Sequence, residues 1–397
     1  MAPTNCKIVR RAIVRKLSEG ENMMISDLAD CCGFSVPTIT KYISELLKEN
    51  LVMPSGKIIQ SRGKHPAIYK INPNSKYFAG VDIKRDSLRL ALVNLAGDVI
   101  KENIISDYHF SNSLPYFEDM KNKVLNFLDS TPPQFKKQDI PYISFNIFGR
   151  VDSQTGTCHS FFNFEGMDMP LAEILTEELG IKTIIENDTK AMTFGYLKKY
   201  NYAHFNNFLF VNISYGLGLG IVMDGKVYRG KNGYSGEFGH INAYNNEVIC
   251  HCGKKGCLET EVSGYAANAK IKERYKNGET TILSSKIEKG MVLSPNDFLE
   301  AVAIEDPLSI DIVEKMGIDL GKQLANLINI FNPEAVVIGG SFSEENAYFL
   351  ESVKSGIRKY SLKLLYKNLT ITQAENPNGA GVLGACMIGR DRFIDEL

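Results

Sequence analysis

One pattern of short strands and tight turns occurs twice in this chain, and any fold must accommodate both copies. The first copy runs Phe78-Ala-Gly-Val-Asp82-Ile, then Ser87 to Leu95, then a Gly97-Asp98 turn into Val99-Ile100. The second runs Phe208 to Ile213, then Gly216-Leu-Gly218-Leu-Gly220 into Ile221-Val-Met, then an Asp224-Gly225 turn into Val227-Tyr228. Apolar runs of this length, broken by Gly and Asp, read as antiparallel strands joined by hairpins. Helices and strands then alternate. A helix from Tyr116 to Leu128 precedes a strand from Ile143 to Ile147. A helix around Leu171 to Leu179, a strand Thr183 to Ile185 and a helix Thr189 to Tyr200 follow. In the second half, a long helix from Ile310 to Ile330 leads to a strand from Glu334 into Gly339-Gly340, and Gly379 to Ile388 closes the chain as a helix. Strands followed by helices imply an α/β architecture. With 397 residues and 44% hydrophobic content, the chain can fill two or three cores.

The front of the chain is different. Residues 1–70 carry 11 Lys/Arg against 6 Asp/Glu, whereas the whole chain has a net charge of −1. A basic segment on an acidic body points to nucleic acid at one end and excludes a generic polyanion binder. Lys7 to Leu17 reads as a helix with Ile8, Ala12, Ile13 and Leu17 on one face. Ser26 to Gly33 reads as a second helix, with Ser26 as N-cap and Gly33 as left-handed stop. Ser35 caps a third, Val36 to Glu49, whose apolar face is Ile39, Ile43, Leu46 and Leu47. Pro37 fits its first turn. This pattern predicts a helix-turn-helix whose third helix enters the major groove, with Ser35, Pro37, Thr38 and Lys41 at bases and phosphates. Two short strands around a basic turn, between Leu51 and Lys70, predict a wing carrying Arg62, Lys64 and His65 to phosphate or minor groove. Asn72 to Ser75 is a turn-rich linker. No run of 18 apolar residues and no signal peptide are present, so the expectation is a cytoplasmic protein that does not engage a membrane.

Four residues in the second half have metal-ligand spacing: His240, Cys250, Cys252 and Cys257. Three thiols and an imidazole complete a tetrahedral shell for Zn2+, and four protein ligands mark it as structural rather than catalytic. Gly253 and Gly256 allow tight turns between the thiolates. Clustered thiols in a cytosolic chain read as metal ligands rather than disulfides. Cys31 and Cys32 are adjacent and do not easily pair, and Cys6, Cys158 and Cys386 are scattered. His251 directly follows Cys250 and would crowd the shell.

The two lobes resemble the duplicated ribonuclease-H/actin-like fold. The run Gly236-Glu-x-Gly-His240, then ten residues, Cys250-x-Cys252-Gly-x-x-Gly-Cys257-x-Glu259, resembles the ROK family (repressor, open reading frame, kinase), and the helix-turn-helix resembles its repressor branch. The resemblance covers nearly the whole chain. It implies a winged helix-turn-helix over 1–72, a first actin-like lobe over 76–189 plus 378–397, and a second over 190–377 bearing the zinc knuckle. It further implies sugar-binding roles for Asn163, Asn187, Asp188, Glu237, His240 and Glu259. In the family's kinases the aspartate at Asp188 is the general base. Carboxylates and amides suit a polyol, because a site built to hydrogen-bond hydroxyls rejects analogues lacking them.

Both phosphate loops depart from the kinases. ROK kinases read Asp-x-Gly-Gly-Thr at the first, whereas Asp82 is followed here by Ile83, Lys84, Arg85 and Asp86. Bulky side chains there obstruct the backbone approach that phosphate needs. At the second loop Tyr215 takes the place of a threonine, and Phe148 replaces the proline of a Pro-Gly-x-Val-Asp turn. The expectation is a non-enzyme in which Asp188 is a vestigial base: a repressor, homodimeric or homotetrameric, that binds operator DNA. A sugar or sugar-phosphate in a kinase-like cleft releases it. The competing expectation is an active ATP-dependent sugar kinase of the glucokinase or N-acetylhexosamine kinase type with a DNA-binding front end.

Overall fold

The computed structural model describes residues 3–20, 22–57, 67–130, 136–164, 168–199, 204–343, 346–375 and 379–397. These form two compact units, Met1–Gly195 with Gly381–Leu397, and Tyr196–Ala380.

The first unit opens with three helices, Pro3–Leu17, Ile25–Cys32 and Val36–Lys48, and a three-stranded antiparallel sheet. Its central strand Ala67–Ile71 pairs with Met23–Met24 on one side and Val52–Lys57 on the other. Pro54 is tolerated because its strand is an edge, and the register shifts between Pro54 and Gly56. Three helices with a small antiparallel sheet are consistent with the expected winged helix-turn-helix. Two local expectations need correction. Ser26 is not the N-cap of the second helix. Met24 holds that position, and Asp27 Oδ2 reaches back to accept from its N–H at 3.4 Å. Ile8 is 49% exposed, while Val9, Ile13, Val14 and Leu17 are buried. Burying Val14 beside Ile13 rotates the apolar face of the first helix by about one residue and turns Ile8 outward.

That rotation leaves Arg11 and Arg15 on the side facing the last helix, Ala380–Glu396. Arg15 pairs with Asp395 at 2.5 Å and Asp391 at 3.5 Å, and Arg11 donates to the Asp395 carbonyl. Arg390 of the same helix donates to the carbonyls of Leu95 at 2.7 Å and Ser18 at 3.1 Å. Burial pulls its guanidinium below the ordinary arginine value. Arg390→Ala strands two carbonyls, so the expected cost is about 2 kcal/mol in urea unfolding of the full chain.

The α/β part of the first unit is a five-stranded sheet in the order Lys182–Asn187, Tyr142–Ile147, Tyr77–Ile83, Ser87–Asn94, Val99–Ser106. The first three strands are parallel, and Ser87–Asn94 is antiparallel to both of its neighbours. The second unit repeats this plan: Thr370–Gln373, Ala335–Gly339, Phe208–Ile213, Leu217–Met223, Lys226–Val227. In both, the opening strand is central, its hairpin neighbours lie on one side and the later parallel strands on the other. The twice-read sequence pattern is therefore one topology used twice.

Each sheet has its own core. Val81, Leu90, Phe117, Phe145 and Leu175 contribute to the first; Phe298, Met316, Leu324, Ile338 and Phe349 contribute to the second. Helix Leu114–Asp129 begins two residues before its expected start because Ser113 caps it, accepting from Tyr116 N–H. Helices Gly264–Lys276, Pro295–Ala303 and Ala347–Tyr360 were not read from the sequence. Among the described residues no helix is long and apolar enough to cross a membrane.

Candidate functional site

Within the second unit, the donor atoms of His240, Cys250, Cys252 and Cys257 all lie within 4.8 Å of one another. His240 ends a short 3-10 turn, Phe238–His240, and the thiols lie on a hairpin-like loop. That loop is closed by Cys250 N–H on the Lys254 carbonyl at 2.8 Å and by an isolated bridge between Asn242 and Cys257. Gly256 has a φ of 73°, and a Cβ there would strike the Tyr244 carbonyl, so only glycine fits. Zinc–sulfur bonds of about 2.3 Å put tetrahedral neighbours about 3.8 Å apart when both are sulfur and about 3.6 Å when one is imidazole nitrogen. Cys252 and Cys257 Sγ are 3.6 Å apart, and Cys250 Sγ is 3.6 Å from His240 Nδ1. These two spacings match a tetrahedral ion, and the other donors of the set lie within 4.8 Å of one another. Burial pushes the Cys250 thiol up to about 12 and also raises Cys257. For Cys252 burial acts upward too, but the Lys254 N–H and the neighbouring thiols outweigh it and lower the thiol.

The same loop fixes the acidic residues beside it. His240 presents Nδ1 to Cys250, while its Nε2 lies 3.9 Å from Glu237 Oε2. Glu259, two residues after Cys257, is only 7% exposed, and its Oε2 accepts from Leu217 N–H at 2.9 Å. Its other oxygen is 3.1 Å from His251 Nδ1. His251 stands directly beside Cys250 in the chain. It is 70% exposed, 3.9 Å from Cys250 Sγ, and turned toward Glu259. His240, His251 and Glu259 thus form a second group of close donors. Sequence spacing could not place His251, because successive side chains on an irregular loop have no fixed phase.

In the first unit, Asn187 ends strand Lys182–Asn187 and Asp188 opens helix Asp188–Lys199. The Asn187 amide donates to the Gly149 carbonyl at 3.0 Å and accepts from Lys190 N–H at 3.1 Å. Asp188 Oδ1 accepts from Thr189 N–H at 2.8 Å. Burial raises the Asp188 carboxyl above the usual carboxylate range, and the Lys84 charge is the largest opposing influence. Asn163 is exposed and follows Phe162, which has a φ of 60° and donates its N–H to Asn112 at 2.8 Å. The structure groups Asn187 with Asp188, and Glu237 and Glu259 with His240. Among the described residues no hydrogen bond ties Asn163 to Asp188.

The two segments at the phosphate-loop positions are also defined. Lys84 Nζ is 3.4 Å from Asp82 Oδ2, and the Arg85 guanidinium lies 5.7 Å over the Phe148 ring. Tyr215 accepts at its carbonyl from Tyr265 N–H at 2.9 Å, and Ser214 accepts from Gly264 N–H at 2.8 Å. That seats the Ser214–Gly220 loop on the first turn of helix Gly264–Lys276.

On the three-helix module, Ser35 Oγ accepts from Thr38 N–H at 3.4 Å and caps the third helix, with Pro37 in its first turn. Ile39, Tyr42, Ile43 and Leu46 are buried; Leu47, expected in the core, is only half-buried. Ser35, Pro37 and Lys41 are exposed and Thr38 partly so. Arg62, Lys64 and His65 lie outside the described residues.

Residues 78–392 match the ROK family. The chain belongs to the ROK family. Among its relatives, a xylose repressor of Bacillus spizizenii is 25% identical over 394 residues, covering 98% of this chain and 96% of the repressor. A glucokinase of Halalkalibacterium halodurans is 28% identical over 315 residues, covering 78% of this ROK protein and 94% of the kinase. Among solved structures, a ROK family transcriptional regulator described as a homolog of the E. coli MLC protein is 26% identical. It superposes with a TM-score of 0.81 over 98% of this chain and 97% of that one.

Proposed function

We propose that this ROK protein is a transcriptional repressor that binds operator DNA and is released by a sugar. One observation carries the reading: a three-helix module with an exposed third helix is joined to the ROK body, and full-length similarity runs to repressors while the glucokinase aligns over 78% of the chain. Ser35, Pro37, Thr38 and Lys41 contact DNA from the third helix, and Arg62, Lys64 and His65 contact it from the wing. Two copies of the chain, as a homodimer or within a homotetramer, read a two-fold operator. Asn163, Asn187, Asp188, Glu237, His240 and Glu259 are the hydroxyl-binding groups of the sugar effector. His240, Cys250, Cys252 and Cys257 hold a structural Zn2+ that keeps the acidic residues in place.

The kinase reading is disfavoured by particular residues. Lys84 sits against Asp82 where a phosphate loop needs open backbone, and Tyr215 stands where the kinases carry threonine. The expectation is no ATP-dependent phosphorylation of D-xylose or D-glucose.

The test is selection of bound duplexes from a random library at low salt, followed by titration of the selected operator with a panel of sugars. Lys41→Ala should weaken binding about tenfold across sequences and lower the salt slope by about 1. No selected sequence at any salt concentration refutes the reading. Sequence-selective binding that no sugar disturbs would leave repression but remove the sugar as its trigger.

A further inference from the structure

The first unit contains a carboxylate in an unusual position. Asp82 is 0% exposed, and neither of its oxygens accepts a hydrogen bond among the described residues. Gly381 packs directly on it, and the Gly381 carbonyl is itself held by the Asn146 amide at 2.5 Å. A bare buried charge is too costly to persist without a partner. The partner present is the Lys84 ammonium, 3.4 Å from Asp82 Oδ2.

Lys84 is held there by its backbone. Its N–H bonds the Ser87 carbonyl at 3.0 Å. The next two carbonyls, of Arg85 and Asp86, accept from Phe110 at 2.7 Å and Tyr108 at 3.0 Å. Arg85 points elsewhere, over Phe148. The turn therefore delivers one ammonium, on a fixed stem, to the buried carboxylate. The same ammonium acts on Asp188, whose other charged neighbours are Asp82, which opposes ionisation, and Lys190, which favours it. Thr189 N–H supports the ionised form from the helix start. Asp82 thus has Lys84 as its ion partner, and the same charge favours the ionised form of Asp188.

Paired carboxylates ordinarily stay ionised only beside a cation, and otherwise one takes a proton. We propose that Lys84 is the resident counter-ion of Asp82 and Asp188, a covalently attached cation in the place that a divalent metal ion would otherwise take. The inference concerns the first unit alone and does not depend on which sugar, if any, binds.

The experiment is a Mn2+ titration followed by electron paramagnetic resonance on the full chain with its Cys/His quartet loaded with zinc. Lys84→Ala is expected to gain one Mn2+ site, which Asp82→Asn in the same background removes. Wild type and Lys84→Arg are expected to gain none. Lys84→Gln keeps the stem without the charge and is measured alongside, in case truncation to alanine prevents folding. Folding of either neutral variant that requires Mn2+ also supports the proposal. No Asp82-dependent Mn2+ in either variant overturns it, as does loss of folding in both that Mn2+ does not relieve. An Asp82-dependent Mn2+ site already present in wild type overturns it equally.

Discussion

Cys252→Ser is expected to abolish zinc retention and, with it, the response to sugar, while DNA binding through the three-helix module persists. The serine hydroxyl is a poor zinc ligand at neutral pH, and a shell of three donors is open. Structural zinc contributes on the order of 10–16 kcal/mol in small zinc-finger peptides. The knuckle here also rests on the core of the second unit, with Cys250 and Cys257 buried, so the loss should be local rather than global. The consequence follows from connectivity. His240 reaches toward Cys250 with one ring nitrogen and toward Glu237 with the other. Glu259 is tied to the Leu217 backbone only two residues beyond Cys257. Without the ion, all three acceptors lose their common anchor. Zinc content by atomic absorption, together with operator release in a gel-shift titration, checks this. Normal release from a zinc-free variant would separate the metal from the sugar response.

Asp188→Asn is expected to weaken sugar binding by roughly 10–100-fold and leave operator affinity unchanged. A hydrogen bond to a charged group contributes about 1.5–3 kcal/mol, which sets that range. Asparagine keeps an oxygen that can accept from Thr189 N–H, so the start of helix Asp188–Lys199 is preserved. The pH dependence has a definite sign. Burial raises the Asp188 carboxyl, so it takes a proton at higher pH than a free aspartate does. A sugar bound by the carboxylate should therefore be lost as pH falls, beginning above the ordinary aspartate value. In Asp188→Asn that part of the profile should be flat. Calorimetric titration across mildly acidic pH reads both effects, and an identical profile in the two proteins contradicts the role given to Asp188.

The strands and turns of both lobes were legible because they rest on local chemistry. Asp224 and Gly225 both adopt positive φ, as a two-residue hairpin turn requires, and Gly33 closes its helix in the left-handed region as read. The metal quartet was legible because its ligands are close in sequence and few side chains share their chemistry. What escaped was decided by tertiary packing. Ile8 and Val9 are equally apolar, and only the neighbouring helices determine which one is buried. Ser26 is a good capping residue two positions beyond Met24, whose backbone N–H Asp27 already satisfies. Helix Gly264–Lys276 carries few large apolar residues and buries small ones such as Ala266 and Ala267, so its periodicity is faint. Lys84 read as an obstruction to phosphate. That it is also the ion partner of a buried aspartate depends on a distance no spacing rule supplies.

The measurement that tests the account most directly is operator binding by the zinc-loaded wild-type chain, followed by fluorescence anisotropy as sugars are added one at a time. The account predicts sequence-selective binding that falls with salt and is reversed by a particular sugar. It also predicts that Asp188→Asn shifts that reversal to higher sugar concentration without changing affinity for DNA. Tight, selective DNA binding that no sugar alters, or ATP-dependent phosphorylation of a sugar that requires Asp188, would contradict it.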